Sequence, residues 1–347
     1  MKRYLLYILM VVVVVITAAE AFLRLTGRFA TYSESIGQKY STYYNAINPS
    51  WYLLHTPGDT TTPANSDFRY AYSINKYGIR ERGFEKSKGD TTIRIFVTGD
   101  SFAEGQGAPY DSTWPHLLAR KLRGDGVNAE VINTGVAGSD PIYNYVLHRD
   151  ILKGCRADYI IVSINSSDFT DYLMRGGFER FDKDGTTHFR KGPWYHPIYR
   201  GSYFARAVIE KVGGFPFRGV FSTQQDLFAN TDSAIVCYNN VVDSFVNLVG
   251  PDSTRIIVLL YSTPSDIRFK TPETTKFRAS FISLQQQLAV RNIPCINLWD
   301  DIATGLAGKN YLEYSYRNDW HFNPYGYNLM ARLVEKKLIE GNLITKK

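Results

Sequence analysis

Cysteine is scarce in this 347-residue chain: Cys155, Cys237 and Cys295 lie far apart and are odd in number. No CxxC occurs, and no Cys/His spacing suits zinc, so neither a disulfide framework nor a structural metal organises the fold. Two of the three sit beside expected strands and read as buried thiols, leaving room for at most one disulfide. Clustered charge is also missing. The formal net charge of +7 is spread along the chain, without a basic helix or a recognisable nucleic-acid module. Nucleic acid is therefore not an expected partner; the charge reads as solubility, with some attraction to anionic polymers or membrane surfaces. The glycine-rich stretch "GDSFAEGQGA" has neither GxGxxG nor a P-loop lysine, which removes nucleotide binding. Ser101 is not in G-x-S-x-G, which removes the α/β-hydrolase elbow. Asp300-Asp301 reads as a strand-to-helix turn rather than a metal site, and no repeat of solenoid or propeller period is found.

Long apolar runs are nearly absent too, with one exception at the N-terminus. After Lys2 and Arg3, sixteen uncharged residues run from Tyr4 to Ala19, and Ala21, Phe22 and Leu23 extend the run past Glu20. That length suits a membrane-spanning helix, while Ala19-Glu20-Ala21 is also a small-x-small site for signal cleavage. In both readings the basic start stays in the cytoplasm and the remainder works outside it, periplasmic or extracellular. An anchor is the leading expectation and cleaved secretion the alternative.

What is abundant is aromatic: 14% of residues, with 25 Tyr. Rings in this number serve a large core and surface, and could also line a carbohydrate groove; the sequence does not gather them in one place. Residues 1–28 form the anchor or signal segment. Residues 29–90 read as an extension, with "PGDTTTPANSD" a loop and "YAYSINKYGIR" a short hairpin. From residue 91 to 347 strands and helices alternate. "TIRIFVTG", "AEVINTGVAG", "ADYIIVSINSSD", "TRIIVLLYSTP" and "IPCINLWD" read as five strands separated by helices, hence a parallel sheet covered on both faces. The segment from about 173 to 228 breaks this rhythm and reads as a lid-like insertion.

Ligands of such sheets bind beyond the carboxyl ends of the strands. There the first strand gives Gly99-Asp100-Ser101, placing a serine hydroxyl where a helix can begin. A serine needs a base, usually a histidine oriented by a carboxylate. His321 in "NDWHFNPYGY" meets this need, on a loop before the last helix with Asp319 two residues upstream. The other five histidines lie in the extension (His55), in expected helices (His116, His148) or in the insertion (His188, His196). For the oxyanion, the Ser101 N–H is one donor, and Gly138 after the second strand offers another free of side-chain obstruction. At the third strand's end, Asn165 and Ser167 share a face of an extended chain, so either side chain could supply a third.

In these blocks the chain resembles the SGNH/GDSL hydrolase superfamily. Gly99-Asp100-Ser101 is similar to its first block, Asn133 to Gly138 to its second and "DWHFNPYGY" to its last, over roughly residues 75–172 and 255–335. The third block departs from the usual Gly-x-Asn-Asp, with Asn165-Ser166-Ser167-Asp168 in its place. The last departs from Asp-x-x-His, with Asn318 at the usual acid position and Asp319 as the orienting carboxylate. The resemblance implies a flavodoxin-like three-layer α/β/α sandwich with a mainly parallel five-stranded sheet. It also implies ester hydrolysis or acyl transfer by Ser101, His321 and Asp319, without metal or organic cofactor. The expected substrate is an acyl ester, O-acetyl on a carbohydrate first of all. An O-acyltransferase acting on an envelope or extracellular polysaccharide and a non-catalytic glycan-binding module are the alternatives.

Overall fold

The computed structural model describes residues 2–30, 55–174, 196–212, 231–250 and 254–344. Most of the insertion expected at 173–228, including His188, and the stretch 31–54 lie outside the described residues. In chain order the elements are α1 (Lys2–Thr26), β1 (Thr60–Thr61), β2 (Tyr72–Ser73), β3 (Ile93–Thr98), α2 (Ser101–Glu104), α3 (Trp114–Gly124), β4 (Ala129–Asn133) and α4 (Pro141–Val146). They continue with β5 (Tyr159–Asn165), α5 (Ser167–Met174), α6 (His196–Gly201), α7 (Tyr203–Val212), α8 (Thr231–Val249) and β6 (Arg255–Tyr261). Last come α9 (Pro264–Arg268), α10 (Pro272–Val290), β7 (Cys295–Asn297), α11 (Trp299–Gly305) and α12 (Pro324–Glu340).

The strands are runs of β-branched and aromatic residues, and β3 and β5 are buried along their whole length, as strands covered on both faces must be. Their side chains divide with period two. Phe96, Ile160, Val162, Val258 and Leu260 face a layer containing α8 and α10. Ile95, Val97, Ile161, Ile257 and Leu259 face α3 and α12. The result is a three-layer α/β/α sandwich. Its five strands pair in parallel in the order β4-β3-β5-β6-β7. Counted by appearance this is 2-1-3-4-5, the flavodoxin-like order, whose topological switch lies between β3 and β5. The carboxyl ends of these two strands carry Ser101 and Asn165.

Three local features differ from the sequence reading. The expected hairpin within "YAYSINKYGIR" is not closed on itself: β2 pairs antiparallel with the upstream β1, in the register Thr60↔Ser73 and Thr61↔Tyr72, and Asn75 to Ile79 forms the turn that follows. The helix expected over Ile142–Gly154 ends as α4 and passes into a π-turn at Leu147–Ile151, which carries His148 into the core. Burial pushes that imidazole down to about 3, so it stays neutral and takes no part in proton transfer at ordinary pH. Finally, residues 55–88 are built into the body. Arg80 is 1% exposed, and its guanidinium donates to the carbonyls of Glu104, Gly105 and Ala108 while stacking on Tyr70 and Tyr72. A polar segment thereby clamps the loop that follows Ser101.

Helix α1 projects with none of its residues buried, and is long and apolar enough to cross a membrane. At about 1.5 Å per residue it exceeds the roughly 30 Å of a bilayer's hydrocarbon core. Its last turns are docked. Glu20 accepts from Ser202 Oγ at 2.9 Å and from the N–H groups of Tyr203 and Phe204 at 3.2 and 2.7 Å, capping α7. Arg24 donates to the Gly201 carbonyl at 2.6 Å and lies over the Tyr203 ring.

Candidate active site

The turn between β3 and α2 is held from three directions. Asp100 caps α2, its carboxylate accepting from Phe102 N–H at 2.9 Å. Gly99 lies so close to β5 that a Cβ there would collide with the Ser163 hydroxyl. The Gly99 carbonyl in turn accepts from Val136 N–H and Ser139 Oγ, both at 2.9 Å, which stitches the glycine loop after β4 against the serine turn. Within that loop Gly138 has φ +72°, a left-handed conformation that a side chain disfavours. Among the described residues neither Ser101 N–H nor Gly138 N–H donates to an acceptor. Both are therefore available to a ligand.

His321 arrives from the other end of the chain. Its loop is closed by the Ser315↔Phe322 bridge and fastened by Tyr316, whose hydroxyl donates to the Gly107 carbonyl at 2.6 Å. His321 Nε2 lies 2.7 Å from Ser101 Oγ, and Nδ1 lies 2.6 Å from Asp319 Oδ1. A carboxylate facing Nδ1 assigns the proton to that nitrogen, which leaves Nε2 with a lone pair for the serine proton. Asp319 Oδ1 also accepts from the His321 N–H at 3.0 Å, an Asx turn that fixes acid and base as one unit. The imidazole packs on Phe102, with centroids 4.7 Å apart. Asp319 is buried while His321 keeps some exposure, so the charge is shielded and the reacting edge is not.

Asn318, at the position where the resembling family often has its acid, faces away from the histidine. Its backbone and side-chain N–H groups donate to Asp67, and Asp319 N–H donates to the same carboxylate at 2.8 Å. An amide at 318 is what a carboxylate neighbour requires; an aspartate there would oppose Asp67. Asp67 lies about 250 residues away in sequence, with no local signal to mark it.

The structure brings Ser101, Asp319 and His321 into one hydrogen-bonded line and puts Gly138 at the same sheet edge. Asn165 and Ser167, the candidates for the third donor, are both engaged by protein partners. The chain turns into α5 at Ser167, so the face-sharing of an extended strand no longer applies. Ser167 Oγ bonds Asp100 Oδ2 at 2.8 Å and Asn165 Oδ1 at 2.5 Å. The Asn165 amide donates to Tyr261 OH at 3.2 Å, and its Oδ1 accepts from Ser167 N–H at 2.8 Å. These two side chains brace the residue before the nucleophile. Behind them Asp168 accepts from Asn165 N–H at 2.7 Å. Burial first, and then the neighbouring Asp100 charge, push the Asp168 carboxyl well above its ordinary range.

A second histidine–carboxylate pair lies beneath the serine helix. His55 Nε2 is 2.8 Å from Glu104 Oε2, and the Tyr72 hydroxyl donates to Glu104 Oε1 at 2.9 Å. Ala137 N–H adds a further donor at 2.6 Å. Sequence reading had no reason to join His55 to Glu104; the only available sign was an acid inside the "GDSFAEG" loop. A recess of about 1110 Å³ runs along β4 and does not include Ser101 or His321. Among its lining groups, Tyr110 and His116 meet Glu81 and Arg94 meets Glu130.

No protein-family model matches the chain, and no curated protein of similar sequence is found. Among solved structures it is similar to a lipase/acylhydrolase from Enterococcus faecalis at 15% identity, covering 74% of this chain and 98% of that one with a TM-score of 0.44. It is also similar to the lipase Lip_vut3 from a goat rumen metagenome at 14% identity, covering 70% of this chain and 96% of that one with a TM-score of 0.46. The acetylxylan esterase Axe2 from Geobacillus stearothermophilus is matched at 10% identity over 71% of this chain and 94% of that one, TM-score 0.45.

Proposed function

We propose that the protein is a serine ester hydrolase acting on acyl esters, O-acetyl groups on a carbohydrate above all. The observation that carries this reading is the continuous line from Asp319 Oδ1 through His321 to Ser101 Oγ, with both hydrogen bonds at 2.6–2.7 Å. In this mechanism Nε2 takes the serine proton as Oγ attacks the ester carbonyl, and the imidazolium that forms is stabilised by Asp319. The tetrahedral oxyanion is met by the N–H groups of Ser101 and Gly138. His321 returns the proton to the leaving alcohol as the C–O bond breaks, giving the acyl-serine and the free hydroxyl. Water, deprotonated by His321, then releases the carboxylic acid and restores Ser101. Hydrolysis of 4-nitrophenyl acetate by the full chain, absent in Ser101→Ala, is the expected outcome; equal rates in the two proteins would overturn it.

The reading places the enzyme outside the cytoplasm on an uncleaved anchor. Supporting the anchor, Glu20 and Arg24 are engaged with α6 and α7, so a cut around Ala19–Ala21 would sever a formed interface. The intact mass of the protein recovered from membranes tests this, and a mature chain starting near Phe22 would contradict it.

A further inference from the structure

The rim beside the triad exposes aromatic surface and positive charge that the chemistry above does not use. Trp320, between Asp319 and His321, is 44% exposed, and Phe269 is 43% exposed; their rings lie 5.7 Å apart. Arg268, the last residue of α9, holds its guanidinium carbon 4.5 Å from the Tyr311 ring centre, 4.9 Å from Phe269 and 5.7 Å from Trp320. Stacking fixes the plane of a guanidinium but leaves its five N–H donors unspent. Among the described residues, Arg268 forms no ion pair, and neither do the exposed cations Lys270 and Arg317 that follow it and precede Asp319. The nearest acid along α9, Asp266, is turned inward and occupied by Ser166 and by Thr263, whose N–H donates at 2.7 Å. That bond to Ser166 also ties α9 to the end of β5, and so to the edge that carries Ser101.

We propose that Arg268, Trp320 and Phe269 form a subsite for an anionic sugar, so that the substrate is an acylated acidic glycan carrying uronate residues. The inference rests on the esterase reading for its reaction and on the rim alone for its ligand. The apolar C–H face of a pyranose matches an exposed indole, and a planar guanidinium held on rings presents a fork that a carboxylate accepts in bidentate fashion. Lys270 and Arg317 extend the positive field along a polymer. A neutral glycan would use the rings and leave three cations unanswered. An anionic bilayer would answer the cations, but the guanidinium interrupts the apolar surface that insertion needs.

The test uses the detergent-solubilised full chain carrying Ser101→Ala, so that binding is read without turnover. Its affinity is measured for partly O-acetylated polygalacturonate and for neutral acetylxylan. The expected result is at least tenfold tighter binding of the acidic polymer at low salt. Adding Arg268→Ala should remove that preference, Arg268→Lys should retain part of it, and Trp320→Ala should weaken both polymers. Lys153→Ala, an exposed cation at the opposite edge of the sheet, should match the parent. Equal affinity for the two polymers, an Arg268→Ala protein that keeps the preference, or Trp320-dependent binding to phosphatidylserine vesicles in place of the polymer would overturn the proposal. Failure of the esterase reading shows separately, as an unmutated Ser101 that turns over no ester.

Discussion

Two of the histidine–carboxylate pairs among the described residues flank the serine turn with nearly equal geometry, and they do different work. His321–Asp319 closes at 2.6 Å and His55–Glu104 at 2.8 Å. Their surroundings separate them. His55 and Glu104 are buried to within 1% of full coverage, and the hydroxyl that completes the group is the phenol of Tyr72, which bonds both partners in a closed triangle. His321 retains 16% side-chain exposure, and its third member is a primary hydroxyl at a strand end beside two unclaimed N–H groups. A histidine and an acid at hydrogen-bond distance therefore say little about catalysis. The third group and its access to a substrate decide, and the closed pair instead fastens the 55–88 segment under the loop that carries the nucleophile.

The largest effect expected from this contrast is kinetic. His321→Ala should lower kcat for 4-nitrophenyl acetate by about 10⁴-fold or more, with the thermal midpoint nearly unchanged. A loss under tenfold would place His321 with the structural pair. Glu104→Ala should show the reverse balance. It strands His55, Tyr72 and Ala137 N–H in the interior and should cost about 3–5 kcal/mol in urea unfolding. The sign of its pH dependence follows from the carboxyl. Burial raises it, but the His55 charge and hydrogen bonds outweigh this and hold it below its ordinary value. Its stabilisation is thus complete above the unfolded-state value and is lost as pH falls through the lower folded-state value. The gap in stability between wild type and Glu104→Gln should accordingly narrow in acid below about pH 4. A gap that widens there would contradict an ionised Glu104.

Smaller effects sharpen the boundary between the two regions. Asn318→Asp sets a carboxylate against Asp67 at the base of the His321 loop and should reduce kcat about tenfold, rescued in part by Asp67→Asn. Equal activity of Asn318→Asp and wild type would show that Asp67 does not hold the acid in place. Asn165→Ala and Ser167→Ala should each cost about 1–2 kcal/mol of stability and less than tenfold in kcat, since they brace Asp100. A loss of about 100- to 1,000-fold would return either side chain to the oxyanion hole.

These residues also show what could be read from sequence. The β3 strand and its Gly-Asp-Ser end are written in adjacent residues, as a buried apolar run halted by turn formers. His321 and Asp319 are neighbours, and their loop position before a terminal helix is local as well. Asn165 and Ser167 were open to misreading because strand alternation holds only until the chain turns, and the helix begins at Ser167 itself. Asp67, Arg80 and His55 flank the alternating Phe68, Tyr70, Tyr72 and Ile74, a pattern that marks a buried face but not the partners of the polar residues. Their placement is set by partners as distant as Asn318, which no spacing reveals.

On this reading the open pair, not the closed one, activates a serine. Treating the protein with a fluorophosphonate and reading intact and peptide masses tests it most directly. A single adduct on Ser101 is expected, lost in Ser101→Ala, strongly slowed in His321→Ala and still formed in folded Glu104→Gln. A folded wild-type protein that takes up no adduct, or takes it up at another residue, would contradict it.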